Sequence, residues 1–193
     1  MSLSTTKSIA ITEREIDGAT TAAADRWSIP RELVLAICKT ESSFDPFAMR
    51  FEPDYRYLFD TRAKKPYRVR AEDMSTDRAP ADFQAPAGLA VTAHSEWIAQ
   101  QTSFGLMQTM GAVAREYGFE GYLTALCDPY FSCDIGCRLL ADLVRRNFAK
   151  YGWPGVLSAY NTGTATSKDG KAYSDKVFRN GGPFLVRALG GKA

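Results

Sequence analysis

With 193 residues, 45% hydrophobic and 24% charged side chains, the chain has the composition of an ordinary globular protein long enough to bury a real core. Lys and Arg total 24 against 22 Asp and Glu, and the resulting net charge of +2 lacks the basic excess of a nucleic-acid binder. No stretch approaches a membrane span, and Met1 to Arg14 carry no continuous apolar run. The chain therefore reads as made in the cytoplasm without anchor or export leader, unless a leader has been trimmed away.

Residues 1–11 read as a polar lead-in. Thr12-Glu13-Arg14-Glu15 has the form of a capping box and predicts a helix to about Trp27. Ser28-Ile29-Pro30 breaks and restarts the chain, with Pro30 suited to a first helical position. The next helix is the most apolar in the sequence and ends near Ser42-Ser43, because Asp45-Pro46 disfavours its continuation. At about 100° per residue, Leu33, Val34, Ile37 and Glu41 share one side of it, while Glu32 and Lys39 share the other. A carboxyl group set among hydrocarbon resists ionisation. Still protonated near neutral pH, it can give its proton to a leaving oxygen, so Glu41 is the candidate general acid. The plainer reading of such a position is a paired or half-exposed carboxylate.

Residues 47–100 mix Phe51, Tyr55, Tyr57 and Tyr67 with Arg62, Lys64, Lys65, Arg68 and Arg70 and hold no helical period. They predict a hairpin or long excursion followed by an irregular stretch. Its cations are either a solvated loop or a cleft wall that meets an anionic polymer. Helical patterning resumes after Phe104 with Leu106, Met110, Val113, Ala114 and Tyr117, stopping at Gly118. Asp128-Pro129 opens a long helix ending at Gly152, and shorter helices are expected at 153–160, 174–179 and 183–189. Cys38, Cys127, Cys133 and Cys137 read as reduced, mostly buried thiols in preference to a disulfide or, with His94, a zinc site.

Three segments then converge. Glu41-Ser42-Ser43-Phe44-Asp45-Pro46, Gly105-Leu106-Met107-Gln108 and Ala159-Tyr160-Asn161-Thr162-Gly163 stand in the order of the E-S-x-F-N/D-P, G-L-M-Q and A-Y-N-x-G signatures. Residues 28–180, apart from the excursion, resemble the soluble lytic transglycosylases. The resemblance implies an α+β, predominantly helical, lysozyme-like fold in one domain over residues 1–193, with 47–100 inserted after the catalytic helix. It implies cleavage of the β-1,4 bond from N-acetylmuramic acid to N-acetylglucosamine in peptidoglycan. Glu41 would act as sole acid and base, closing a 1,6-anhydro ring without water, with no cofactor and no metal. The glycan strand would be the partner of a monomer acting in the periplasm or cell wall.

The same resemblance makes Ser43, Ser103, Gly105, Met107, Gln108, Tyr160 and Asn161 the candidate substrate-binding residues. Gly105 would let backbone approach the sugar, Met107 would line the cleft, and Gln108 would offer its amide to acetamido groups. Tyr160 would reach Glu41 with its hydroxyl, and the serine directly after Glu41 would orient the acid. The chain departs from the family in two places. Glu41 and Gly105 are 64 positions apart, far more than in typical members, and the serine-containing lead-in to G-L-M-Q is replaced by residues 99–104, where Ser103 or Thr102 would substitute. Such an excursion resembles bacteriophage-encoded members, which points to a phage or prophage lysis or virion enzyme. The competing expectations are a goose-type lysozyme-like hydrolase, needing a second carboxylate from among Asp45, Glu52, Asp54, Asp73 and Glu96, and a non-catalytic glycan-binding virion module.

Overall fold

A computed structural model describes residues 11–73 and 78–190, so the expected lead-in over residues 1–10 lies outside the described residues. Helix α1 (Glu13–Trp27) opens on the capping box. The Thr12 hydroxyl accepts the Glu15 N–H at 3.3 Å, and the Glu15 carboxylate accepts the Thr12 N–H at 2.7 Å. Helix α2 (Arg31–Glu41) starts one residue later than expected. Pro30 has the φ of a helix but a ψ of 124°, so the ring fixes only half of the helical geometry and Pro30 becomes the cap.

The excursion contains strand β1 (Met49–Phe51) and the expected hairpin, β2 (Tyr57–Asp60) with β3 (Lys65–Arg68). Its later part is not wholly irregular. Helix α3 (Ala93–Gln100) begins at Thr92, whose hydroxyl accepts the Ser95 N–H. The hydrophobic period hides this helix because its buried face is largely polar: Glu96 and Gln100 are buried beside Trp97. Gln100 clasps β2 in both directions, accepting the Phe59 N–H at 2.8 Å and donating to the Phe59 carbonyl at 3.0 Å. Glu96 pairs with Arg115 at 2.8 Å, both side chains being out of water.

Residues 105–108 are a hairpin turn that leads into a short strand, not the start of a helix. Strand β4 (Thr102–Phe104) pairs with β1 on one side and with β5 (Thr109–Met110) on the other, all antiparallel. Gly105 (φ +70°) and Gln108 (φ +46°) both take left-handed backbone, which ends any helical register between them. Helix α4 (Gly111–Glu116) follows and stops, as expected, at Gly118.

Helix α5 (Pro129–Thr162) is capped by Asp128, which accepts the Tyr130 N–H, and is broken at Gly152 (φ +59°) where the sequence places its stop. Helix α6 (Lys168–Ala188) is broken at Gly182. The main core lies where α1 and α2 pack with α5 and α6, around Leu33, Val34, Ile37, Leu140, Val156 and Leu157. Cys38, Cys133 and Cys137 are buried in it as free thiols, and Cys127 is only half-buried. A second cluster under the excursion gathers Leu58, Val69, Phe83, Trp97 and Ala112, with Phe83 edge-on to Trp97 at 5.1 Å. Mostly helical with a small antiparallel sheet, the architecture is lysozyme-like. Among the described residues, no helix is long and apolar enough to cross a membrane.

Candidate active site

Glu41 is the last residue of α2, is half-buried and lines a cleft of about 920 Å³. Loss of water around the carboxyl raises its pKa above the ordinary range. The negative end of the α2 dipole, at the same position, opposes ionisation as well. Three neighbours work the other way, each favouring the carboxylate: the Tyr173 hydroxyl, then the charges of Arg50 and Lys176. Burial wins, and the acid is held protonated to a higher pH than a solvated glutamate.

Tyr173 donates its hydroxyl to Glu41 Oε1 at 2.6 Å, a short hydrogen bond that fixes the carboxyl. It does so from α6, together with Asn180, which donates to Thr40 Oγ1 at 2.9 Å, and Lys176, which donates to the Thr40 carbonyl at 3.3 Å. Positions 173, 176 and 180 recur at helical spacing, so one face of α6 grips the end of α2. Burial, then the neighbouring Glu41 charge, pushes the Tyr173 phenol well up, so it stays a donor.

Tyr160 does not hydrogen-bond to Glu41. Its hydroxyl donates to the Met107 carbonyl at 2.7 Å, and its ring lies against Tyr173 with centroids 6.3 Å apart and planes 20° apart. Tyr173 takes the part the sequence assigned to Tyr160. Its only sequence signal is the apolar pair Tyr173 and Val177 one turn apart, and nothing in that spacing links it to a residue 132 positions earlier.

The serine after the acid is placed as a structural link. Ser42 Oγ lies 3.0 Å from the Cys38 carbonyl and 2.9 Å from the Leu106 carbonyl, joining α2 to the 105–108 turn. Ser43 and Phe44 both take positive φ, which turns the chain sharply away. Ser43 itself is exposed and is not among the residues lining the cleft.

Of the other expected contacts, Ser103, Gln108, Tyr160 and Asn161 line the cleft with Glu41, and Gly105 and Met107 do not. Met107 is fully buried in the main core against Gly136, so its thioether meets no solvent. Gly105 is required by protein packing: a Cβ there would stand 2.1 Å from the Leu126 carbonyl oxygen, and its φ of +70° suits glycine. Gly105→Ala is accordingly expected to cost about 2–4 kcal/mol in chemical denaturation, from overpacking and backbone strain together. A cost under about 0.5 kcal/mol would show that the turn relaxes freely.

Gln108 also serves the protein before any ligand. Its amide nitrogen donates to the Ala48 carbonyl at 2.9 Å and the Gly105 carbonyl at 3.0 Å, and its amide oxygen accepts from Ser103 at 2.9 Å. Gln108 thus braces the turn against the residues before β1. Ser103 is the one of the two candidate substitutes that reaches the cleft; Thr102 donates to the Ile98 carbonyl at 2.8 Å and finishes α3.

Of the five carboxylates open to a water-activating role, only Glu52 and Asp54 line the cleft. Glu96 is locked to Arg115, Asp73 receives Arg70 Nε at 2.6 Å, and Asp45 accepts the Phe47 N–H at 2.9 Å. Glu52 is ion-paired with Arg50 on the same wall.

The family model of the transglycosylase SLT domain matches residues 18–179. The chain belongs to that family. It is a lytic transglycosylase whose substrate is peptidoglycan. No curated protein and no solved structure matches the chain. In this transglycosylase the E-S, G-L-M-Q and A-Y-N segments meet around one cleft although they lie far apart in sequence.

Proposed function

We propose that this transglycosylase cleaves the β-1,4 bond from N-acetylmuramic acid to N-acetylglucosamine, with Glu41 as its only acid and base. Protonated Glu41 gives its proton to the glycosidic oxygen, the bond from that oxygen to muramyl C1 breaks, and the N-acetylglucosamine end leaves as an alcohol. The substrate's own 2-acetamido oxygen stabilises the cation at C1, a part that a second carboxylate plays in two-carboxylate glycosidases. Glu41, now ionised, takes the proton of the muramyl C6 hydroxyl, whose oxygen bonds to C1 and closes a 1,6-anhydro ring. The acid is restored and no water enters the products. The observation that supports this reading best is a half-buried carboxyl, raised in pKa by lost hydration and fixed by Tyr173, in a cleft lined by two of the family's three motifs beyond its own. Mass spectrometry of digested peptidoglycan tests it: anhydro-muramyl ends are expected, and reducing muramic acid ends overturn it.

The second reading is a hydrolase using Glu52 or Asp54 to activate water, favoured only by their place on the cleft wall. The remaining parts of the proposal concern context. The enzyme is read as one lysozyme-like domain with 47–100 inserted, working as a monomer at the cell wall. The long spacing from Glu41 to Gly105 supports a phage lysis or virion role.

Activity needs protonated Glu41, so it falls as pH rises through the raised pKa, leaving an alkaline limb above the usual carboxylate range. The Tyr173 hydrogen bond favours the carboxylate and lowers that pKa. Tyr173→Phe should therefore move the limb to higher pH while lowering kcat about tenfold through looser placement of the acid. A kcat loss with an unmoved limb would assign Tyr173 a packing role instead.

A further inference from the structure

The wall built by residues 50–57 presents a ring and a guanidinium that the chemistry above does not use. Tyr57 lines the cleft and is 78% exposed. A large aromatic left in water inside a cleft is an informative exception to burial. The alternation of β2 produces it: Leu58 turns into the second core at 2% exposure, and Tyr57 turns outward. The ring is backed edge-on by half-buried Tyr55, with centroids 6.1 Å apart, and its backbone is held in register opposite Arg68. Tyr57 is thus supported from behind, with most of its surface open.

Arg56 lines the same cleft and is exposed. Its neighbour on that wall, Arg50, is engaged by Glu52, whereas among the described residues Arg56 has no ion-pair partner. We infer that Tyr57 and Arg56 form a substrate subsite contributed by the inserted segment: Tyr57 stacks on the face of a sugar of the glycan strand, and Arg56 binds a carboxylate of the peptide stem. The inference rests on the peptidoglycan reading of the cleft and assigns contacts to it. A pyranose presents a flat array of C–H groups, which the electron-rich face of an aromatic ring attracts. Stem peptides carry free carboxylates, which the planar guanidinium fork matches in geometry and sign. At about 920 Å³ the cleft reaches the upper end of ligand-site volumes, so it takes more than the sugar at the scissile bond. Substrate length and stem occupancy would then be read by the wall of residues 50–57.

The test is calorimetric titration in the Glu41→Gln background, using a peptidoglycan tetrasaccharide with its stems and the same tetrasaccharide stripped of them. Tyr57→Ala should weaken both ligands about tenfold, and Tyr57→Phe, which keeps the ring face, should restore the affinity. Arg56→Ala should reduce the preference for the stem-bearing ligand about fivefold. Both side chains are exposed, so thermal midpoints should stay near that of the parent and certify folding. Unchanged affinities in Tyr57→Ala, or an unchanged preference in Arg56→Ala, overturn the subsite. Cleavage of the ligand during titration would instead overturn the catalytic part of Glu41, and the affinity ratios between variants would still judge the wall.

Discussion

Glu41→Gln is expected to lower kcat on purified peptidoglycan by about 10²–10⁴-fold, the range for loss of a general acid–base group, with little change in KM. The upper end is favoured because, in the proposed mechanism, one carboxyl serves both proton transfers and the amide can perform neither. The fold should survive, because Gln still accepts the Tyr173 hydroxyl and occupies the same volume. The stability effect has a definite sign. With the pKa of Glu41 raised on folding, the native state holds a proton that the unfolded chain has already lost. Native stability therefore declines as pH rises from the unfolded pKa through the folded one. The glutamine variant escapes that decline, so its thermal midpoint should match the parent at acid pH and equal or exceed it near neutrality. A rate within about tenfold of the parent would remove Glu41 from the mechanism.

Arg115→Met should be the most damaging single change outside the cleft, costing about 3–5 kcal/mol by leaving Glu96 buried without its cation. For a chain of this length that corresponds to a fall of roughly 6–20 °C in Tm. Arg115 meets both Glu96 oxygens, at 2.8 and 2.9 Å, and also donates to the Phe119 and Gly121 carbonyls at 2.7 Å each. Replacing Glu96 by Leu in the same protein should consequently restore only part of the loss, since two carbonyls still lack a donor. The pair matters to the cleft because α3 leads into Gln101, whose carbonyl accepts the Glu52 N–H at 2.8 Å and pins the wall of residues 50–57. Scanning calorimetry decides the point; a loss under about 1 kcal/mol would mean that water reaches Glu96.

What could be read from the residues alone follows from where local chemistry governs. The Thr12 capping box, the start at Asp128, the stop at Gly152 and the apolar face of α2 are set by near neighbours, and each stands where its spacing places it. Helix α3 was illegible because its buried side spends its hydrogen-bonding groups on Arg115 and β2, and no hydrophobic period records that. The segment 105–110, turn and short strand together, carries helix-like spacing, yet two left-handed residues override it. Within the site, the sequence marked Glu41 and the segments that share its cleft. It could not apportion roles among Tyr160, Tyr173, Gly105, Met107 and Gln108, because those depend on which carbonyl lies within 3 Å in the folded chain. Arg50 and Lys176 were hidden for the same reason: charges that act on Glu41 only across the cleft and from α6 leave no local pattern.

Digestion in heavy-oxygen water tests the single-acid, water-free account most directly. If the muramyl C6 hydroxyl is the nucleophile, the new muramyl end carries no heavy oxygen and weighs one water less than a reducing end. Incorporation of one heavy oxygen at muramyl C1 would contradict that account and turn attention to Glu52 and Asp54.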